Sequence, residues 1–151
     1  MIDAPRITLL FGKICSGKSS LYEDSYRIVV SNIVRGIIHS TNRADLQNTI
    51  HLDDKIAEAV IMTIDHAIDK HSHIVVDGIR QASIVKKVLQ HYSNAELIWL
   101  EVPVEERKRR YEARKDAKDV EPFEVADNKP IEVECQNIFS IFKEQLRIIN
   151  N

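Results

Sequence analysis

The chain has 151 residues, 44% of them hydrophobic and 29% charged, and a formal net charge of −2. This length predicts one domain with a sizeable core, and the weak net charge argues against nucleic acid as a partner, because most nucleic-acid-binding proteins carry a broad basic field. The two cysteines match no metal-binding spacing, no signal-peptide pattern precedes the first predicted strand, and no apolar run approaches the length of a membrane span. We therefore expect a cytoplasmic protein with no membrane partner.

Strands and helices alternate along the chain. Apolar and β-branched runs predict five strands, over residues 7–11, 27–31, 74–76, 97–102 and 147–149. Apolar spacing and capping residues predict helices from residue 19 onward and over residues 53–70, 83–91, 104–115 and 131–146. This alternation indicates an α/β fold, a three-layer α/β/α arrangement around a parallel sheet of about five strands. The last strand is expected at a sheet edge, with Asn150 and Asn151 frayed or in a partner contact.

Residues 12–19 carry the strongest motif of the sequence. The segment reads Gly-Lys-Ile-Cys-Ser-Gly-Lys-Ser and fits the phosphate-binding pattern G-x-x-x-x-G-K-[ST] at every fixed position, after a predicted buried strand. In such a P-loop the backbone N–H groups point at phosphate oxygens, the lysine reaches the β- and γ-phosphates, and the last hydroxyl binds Mg²⁺. We therefore predict that Lys18, exposed on the loop, is catalytic and that Ser19 is a magnesium ligand. The predicted ATP-binding residues are Gly12, Lys13, Ile14, Cys15, Ser16, Gly17, Lys18 and Ser19.

An aspartate stands at the carboxyl end of the third predicted strand. Asp77 follows the apolar run 74–76 and precedes Gly78. In open parallel sheets, ligands bind at the carboxyl ends of the strands. The same pair is also typical of an ordinary strand-ending Asp-Gly turn. Beside a phosphate-binding loop we favour the functional interpretation, in which the Asp77 carboxylate holds a water molecule of the magnesium shell and takes part in catalysis.

The order of these motifs resembles that of the nucleoside monophosphate kinases, adenylate kinase above all. Those enzymes follow the P-loop with a Ser-Thr-Gly-Asp-x-Leu-Arg segment, and residues 31–35 look like a shortened version, so the resemblance implies that Arg35 contacts the acceptor's phosphate. Their Asp-Gly-Phe-Pro-Arg segment is similar to residues 77–80, one residue shorter here, which adds Arg80 to the acceptor site. Arg43 lies in the same acceptor-side segment and is a third candidate for binding the acceptor.

The lid of these kinases begins with Val-Pro followed by Arg-x-x-x-Arg. In this chain Val102-Pro103 is followed at the matching distance by Arg110 and Arg114. The resemblance implies one kinase domain over residues 1–151, with an acceptor-binding segment at about 32–52 and a short lid at about 110–123. It also implies transfer of a phosphoryl group from ATP, with Mg²⁺, to a (deoxy)nucleoside monophosphate. The lid is short, and Arg147 is the only arginine after Arg114, so these departures argue against adenylate itself as the acceptor.

The lid arginines also make chemical sense without the resemblance. Arg107, Arg110 and Arg114 are spaced by three and four residues and would lie on one face of a helix. Guanidinium groups stabilise the charge that develops on a transferring phosphoryl group. We therefore predict catalytic roles for Arg110 and Arg114, and solvated positions for Lys108 and Arg109.

The chemistry of the acceptor has an open alternative. A phosphate acceptor needs arginines and no general base, whereas a hydroxyl acceptor, on a nucleoside, a modified base or a nucleic-acid end, benefits from a nearby carboxylate. P-loop hydroxyl kinases often carry an aspartate just after the second strand, where this chain has Asn32, and Asp45 is the remaining candidate base. A third class, a P-loop switch or ATPase, leaves the lid arginines unexplained, and Asn128-Lys129 lacks the aspartate of the guanine-reading signature. We favour the nucleotide acceptor.

Overall fold

The computed structural model describes residues 4–39, 52–114 and 121–151. In these ranges five strands form one parallel sheet with the order β2-β3-β1-β4-β5. The structure confirms the predicted α/β fold with a five-stranded parallel sheet, and it confirms the edge position of the last strand. The strands are β1 (Arg6–Phe11), β2 (Tyr26–Val29), β3 (His73–Asp77), β4 (Glu96–Glu101) and β5 (Leu146–Asn150).

The helices of the described ranges follow the predicted pattern in part. The helices predicted over residues 53–70, 83–91 and 104–115 are present. The helix predicted over residues 131–146 ends early, at Ile141, and the helices Val30–Ile38 and Phe123–Asp127 were not predicted. Across the same ranges, no helix is long and apolar enough to cross a membrane. The helices are α1 (Val30–Ile38), α2 (Asp53–Ala67), α3 (Ala82–His91), α4 (Val104–Arg114), α5 (Phe123–Asp127) and α6 (Pro130–Ile141).

The segment after the P-loop differs from its prediction. Instead of a helix from residue 19 onward, Lys18–Ser20 form a single 3-10 turn. Tyr22 then takes a left-handed backbone conformation with φ of 57°, which a right-handed helix cannot continue through. The chain enters β2 soon afterwards, because residues 20–25 are too few to return to the start of that strand as a helix. The strand predicted over 27–31 ends at Val29, where α1 begins.

The sheet carries a large core on one face and a small one on the other. The large core includes Leu9, Val76 and Trp99 and continues into the packed helices α1, α2, α3 and α6. On the other face, buried side chains of β1, β3 and β4 form a small cluster covered by Leu21 and Tyr22. The segment between the P-loop and β2 therefore covers part of the face on which the predicted helix would have packed.

Candidate active site

The P-loop joins the carboxyl end of β1 to the 3-10 turn and is tightly wound. Cys15 and Gly17 have positive φ angles of 63° and 87°. A Cβ atom at Gly12 would lie 2.3 Å from Ser16 Oγ and 3.3 Å from the Leu100 carbonyl oxygen, so a side chain at this position would push the loop open. Ser16 is buried, and its hydroxyl has no hydrogen-bond partner among the described residues. The loop therefore requires glycine where the motif has it.

Side chains from other elements bind the carbonyl groups of this loop. Their donors come from α4, from β2 and from the residue that follows β5. These hydrogen bonds hold the carbonyl groups on the outer side of the loop, which favours the orientation in which the N–H groups of the loop face a ligand. The contacts join Arg107 to the carbonyl of Ile14 (3.4 Å), Arg110 to that of Cys15 (3.2 Å), Asn151 to that of Ser16 (2.9 Å) and Arg27 to that of Lys18 (3.2 Å).

The sequence predicted that Lys18 is exposed on the loop, but in the structure it is half-buried in the site. Its Nζ donates a hydrogen bond to the Gly12 carbonyl at 3.2 Å. Burial lowers the pKa of Lys18, and the positive charge of Arg80 lowers it further, against the opposing effects of Asp77 and Glu132. A negatively charged ligand would offset both effects, because it would stabilise the ammonium group.

A cavity of about 650 Å³ opens in front of the loop. Its walls come from residues 14–19, one side of α1, the end of β3 with the segment after it, two arginines of α4 and the first turn of α6. Residues distant in sequence meet here because ligand sites of parallel sheets form at the carboxyl ends of the strands. The predicted site residues that line the cavity together with the loop are Arg35, Asp77, Arg80, Arg110 and Arg114.

Arg35 and Arg80 lie on the side of the cavity predicted to hold the acceptor. Arg35 donates to Asn32 Oδ1 at 2.6 Å, and Arg80 donates to Glu132 Oε2 at 2.7 Å. Burial disfavours the charge of Arg80, but the carboxylate of Glu132 outweighs it, so the pKa of Arg80 is raised. Arg80 is therefore a permanent cation whose orientation is fixed by Glu132.

The arginines predicted on one face of α4 divide into two groups. Arg110 and Arg114 line the cavity. Arg107 is buried away from it and pairs with Asp127 at 2.6 Å. The side chain of Lys13 also approaches Asp127, at 3.2 Å, and Lys13 is not among the described residues that line the cavity.

The two remaining basic residues of α4 lie on its solvent side. Lys108 pairs with Glu124, and Arg109 pairs with Glu106, both at 2.5 Å. These positions agree with the predicted solvated face of the helix.

Asp77 lies buried at the end of β3 and pairs through Oδ2 with Arg27 at 2.9 Å. Ser19 and Asp77 line the same cavity. Hydroxyl, carboxylate and phosphate oxygens are the ligands that Mg²⁺ prefers, and the ion usually keeps several water molecules. The residues present therefore fit the predicted ion.

The residues at or near the cavity that were not predicted include Arg27, Gln81 and Glu132. Arg27 and Glu132 form the ion pairs described above, and Gln81 is a buried lining residue whose side-chain nitrogen has no partner among the described residues. Glu132 lies 52 positions from Arg80, so no local pattern could connect them. Arg27 could have been noticed in the sequence, because it is a charged residue in a predicted strand that is otherwise mostly apolar. The predicted candidates Arg43 and Asp45, and residues 115–120 of the lid, lie outside the described residues.

Comparisons with known proteins find similar folds among solved structures only. No model of a known protein family matches the chain, and neither does the sequence of any curated protein. An unliganded sugar kinase from Janibacter sp. HTCC2649 is similar in structure, with a TM-score of 0.64 and 14% identity over 97% of this chain and 85% of that chain. A chain of the Pnkp1/Rnl/Hen1 RNA repair complex is similar with a TM-score of 0.64 and 17% identity, over 95% of this chain. The match spans 47% of that longer chain, and identities this low establish the fold alone.

Proposed function

We propose that this chain is a phosphotransferase that uses ATP and Mg²⁺ and phosphorylates a (deoxy)nucleoside monophosphate. The observation that carries the proposal is the charge around the cavity. The described lining residues include five cationic side chains and only two carboxylates, those of Asp77 and Glu132. Such an excess of positive charge suits two phosphate-bearing ligands held together better than one. The cations are Lys18, Arg35, Arg80, Arg110 and Arg114.

In the proposed reaction, an oxygen of the acceptor's phosphate forms a bond to the γ-phosphorus of ATP. The bond from that phosphorus to the β–γ bridging oxygen breaks, and ADP leaves with the electron pair. The attacking oxygen is already anionic and needs no general base. Lys18 and the loop N–H groups hold the β- and γ-phosphates, Arg35 and Arg80 hold the acceptor's phosphate, and Arg110 and Arg114 stabilise charge on the transferring group.

Two further features support the proposal. The fold is similar to that of a protein described as a sugar kinase, which supports phosphoryl transfer but not the choice of acceptor. The hydroxyl of Ser19 and the carboxylate of Asp77 would hold Mg²⁺, which when bound neutralises part of the phosphate charge.

The test separates acceptor binding from catalysis. Arg35→Ala should raise the KM of the nucleoside monophosphate roughly 10–150-fold and change that of ATP little, because it removes a charge-assisted contact to the acceptor alone. Arg114→Ala should instead lower kcat, because its contact strengthens as charge develops on the transferring group. Arg110→Ala should lower kcat and also raise the KM of ATP, since Arg110 holds the Cys15 carbonyl as well.

The matched control is Arg109→Ala, an exposed arginine of the same helix that pairs only with Glu106 among the described contacts. It should leave all three parameters unchanged. An Arg35→Ala enzyme with an unchanged acceptor KM would overturn the monophosphate proposal.

A hydroxyl acceptor is the second candidate, and Glu132 is the observation that favours it. This carboxylate is 2% exposed and lines the cavity, where it could accept the proton of an attacking hydroxyl. The named neighbours, a sugar kinase and an RNA repair complex, make a sugar or nucleic-acid hydroxyl the natural choice.

Glu132→Gln decides between the two acceptors. With a hydroxyl acceptor the substitution should abolish most of kcat, and Arg35→Ala should matter little. With a monophosphate acceptor it should act mainly on the acceptor KM, by releasing Arg80. A screen for ATP-dependent phosphorylation of nucleoside monophosphates, nucleosides, sugars and DNA ends identifies the substrate to be used in both comparisons.

A further inference from the structure

The P-loop of this chain lacks the helix that usually follows such a loop. That helix does two things for a phosphate site: its hydrogen bonds fix the backbone of the lysine and serine, and its N-terminal dipole attracts the phosphates. Here the 3-10 turn ends at Ser20, Leu21 is its C-cap with an extended backbone, and Tyr22 takes a left-handed conformation. In an α-helix the carbonyl groups of Lys18 and Leu21 would accept from residues four positions further on. In this fold the Lys18 carbonyl accepts instead from the Leu21 N–H of the 3-10 turn at 3.2 Å, and the Leu21 carbonyl needs another donor.

One side chain of the neighbouring strand bonds to both of them. Arg27, in β2, donates from Nη1 to the Lys18 carbonyl at 3.2 Å and from Nη2 to the Leu21 carbonyl. The same Nη1 donates to Asp77 Oδ2 at 2.9 Å. The side chain is 18% exposed and is not among the described residues that line the cavity. Arg27 thus connects the backbone of the catalytic lysine to the carboxylate predicted to serve the metal ion.

We propose that Arg27 is a positioning residue that replaces the missing helix. It fixes the backbone at Lys18 and Leu21, orients Asp77, and places a positive charge behind the phosphate site. The inference rests on the proposed function, because it assigns Arg27 to the ATP side of that site. Since Arg27 acts through Lys18 and Asp77, its loss should weaken ATP binding and leave binding of the acceptor unchanged.

The geometry explains why this residue is an arginine. A guanidinium group is planar and presents several N–H groups in a rigid fork, so it can reach two carbonyl groups and a carboxylate at once. The ammonium group of a lysine is a compact point charge and cannot hold three acceptors in this arrangement. Charge alone should therefore not restore the function.

The experiment compares Arg27→Lys and Arg27→Ala with the wild-type chain. The Kd of a fluorescent ATP analogue should rise roughly tenfold or more in both folded variants, as expected for lost charge-assisted hydrogen bonds. The acceptor KM should not change, and millimolar guanidinium should partly restore ATP binding to Arg27→Ala. Arg6→Ala is the control, because the Arg6 side chain also pairs with a carboxylate, Glu96, but its described hydrogen bonds go to Glu96 and Tyr22 and not to the P-loop.

The outcomes separate this inference from the proposed function. A wild-type chain that binds no ATP would overturn the proposed function and this inference with it. A wild-type chain that binds ATP, with Arg27→Lys folded and of equal affinity, would overturn the inference alone. Loss of the fold in both variants, as seen by thermal melting, would also overturn it, because Arg27 would then be needed for folding rather than for positioning.

Discussion

In the proposed function, Lys18 provides the charge on which phosphate binding depends. Its Nζ turns back to the Gly12 carbonyl, and burial lowers its pKa, so the protein environment disfavours its charge. Lys18→Ala should therefore reduce turnover to no more than a few per cent while leaving the melting temperature unchanged or slightly raised. Initial rates and thermal melting measure the two effects.

Lys86 is the matched control for that substitution. It is an exposed lysine in α3 and does not line the cavity. Lys86→Ala should keep full activity. A Lys18→Ala enzyme that retained a substantial share of the wild-type rate would contradict the role assigned to the lysine.

Cys15 offers a chemical probe of the same loop. It lines the cavity, is half-buried and forms no disulfide, whereas Cys135 is fully buried. Alkylation of Cys15 with a bulky reagent should abolish ATP binding, and saturating Mg·ATP should slow the alkylation, because both compete for the space before the loop. Mass spectrometry follows the modification, and Cys15→Ser should remove the alkylation that Mg·ATP slows. Equal rates with and without Mg·ATP would show that the thiol faces away from the site.

The segment after the P-loop shows why a motif can predict the wrong element. β1 has six residues and spans about 20 Å, and the chain must return over much of that length to start β2. Residues 20–25 would advance only about 9 Å as a helix but about 20 Å when extended. The motif predicted a helix, yet the count of residues before the next strand excludes one.

Helix α1 was missed for a different reason. Its β-branched residues, such as Val30 and Val34, favour strands by intrinsic propensity. They are four positions apart and buried, and the helix packs against α2. Tertiary packing of an apolar face outweighs propensity, and only the fold shows that a packing partner is present. The helices α2, α3 and α4 could be predicted because capping residues and apolar or charged spacing agreed with each other.

A buried ion pair holds α4 and α5 beside the P-loop. Arg107 and Asp127 are 2.6 Å apart and almost fully buried. Burial alone would raise the pKa of Asp127, but the hydrogen bonds and charge of Arg107 outweigh it and lower that pKa. Asp127→Ala leaves the buried charge of Arg107 without its carboxylate and should reduce the free energy of unfolding by about 3–5 kcal/mol, measured with urea.

The lowered pKa of Asp127 also fixes how the stability that this pair contributes depends on pH. A carboxylate whose pKa is lower in the folded than in the unfolded chain stabilises the fold at neutral pH and loses that effect as the pH falls through the lowered pKa. The difference between the wild type and Asp127→Ala should therefore shrink at acidic pH. Glu124→Ala, which removes a surface pair with Lys108, is the control and should change stability little. An equally small effect of Asp127→Ala would contradict the structural role of the pair.

The composition of the whole site follows from the sheet order only in part. Ser19 follows β1 and Asp77 ends β3, and these strands are neighbours, so the meeting of the two residues could be expected from a parallel sheet. Glu132 and Asn151 reach the site from α6 and from the end of β5, and their places depend on how the C-terminal third packs on the P-loop. No spacing in the sequence encodes those contacts.

The end of β5 joins three elements at the P-loop. The Asn151 N–H donates to the Glu101 carbonyl at 2.9 Å, its Nδ2 donates to the Ser16 carbonyl at 2.9 Å, and its own carbonyl accepts from Arg110 at 2.9 Å. Of the expectation that Asn150 and Asn151 are frayed or in a partner contact, fraying is wrong for Asn151, because the backbone pairing with β4 carries it onto the loop. A Cβ atom at Gly17 would lie 2.5 Å from Asn151 Nδ2, so the two residues are in close contact.

Asn151→Ala should therefore weaken ATP binding from a position outside the motif. The substitution removes one neutral hydrogen bond to the loop, so the KM of ATP should rise by roughly 2–10-fold. The acceptor KM should stay unchanged, because Arg35 lies in α1 and Arg80 in the loop after β3, away from β5 in the sequence. Steady-state kinetics measure both, with Asn150→Ala as the control, since Asn150 is exposed and precedes the contact. Equal KM values for ATP in the two variants would show that the loop keeps its shape without β5, and that the contact is incidental to function.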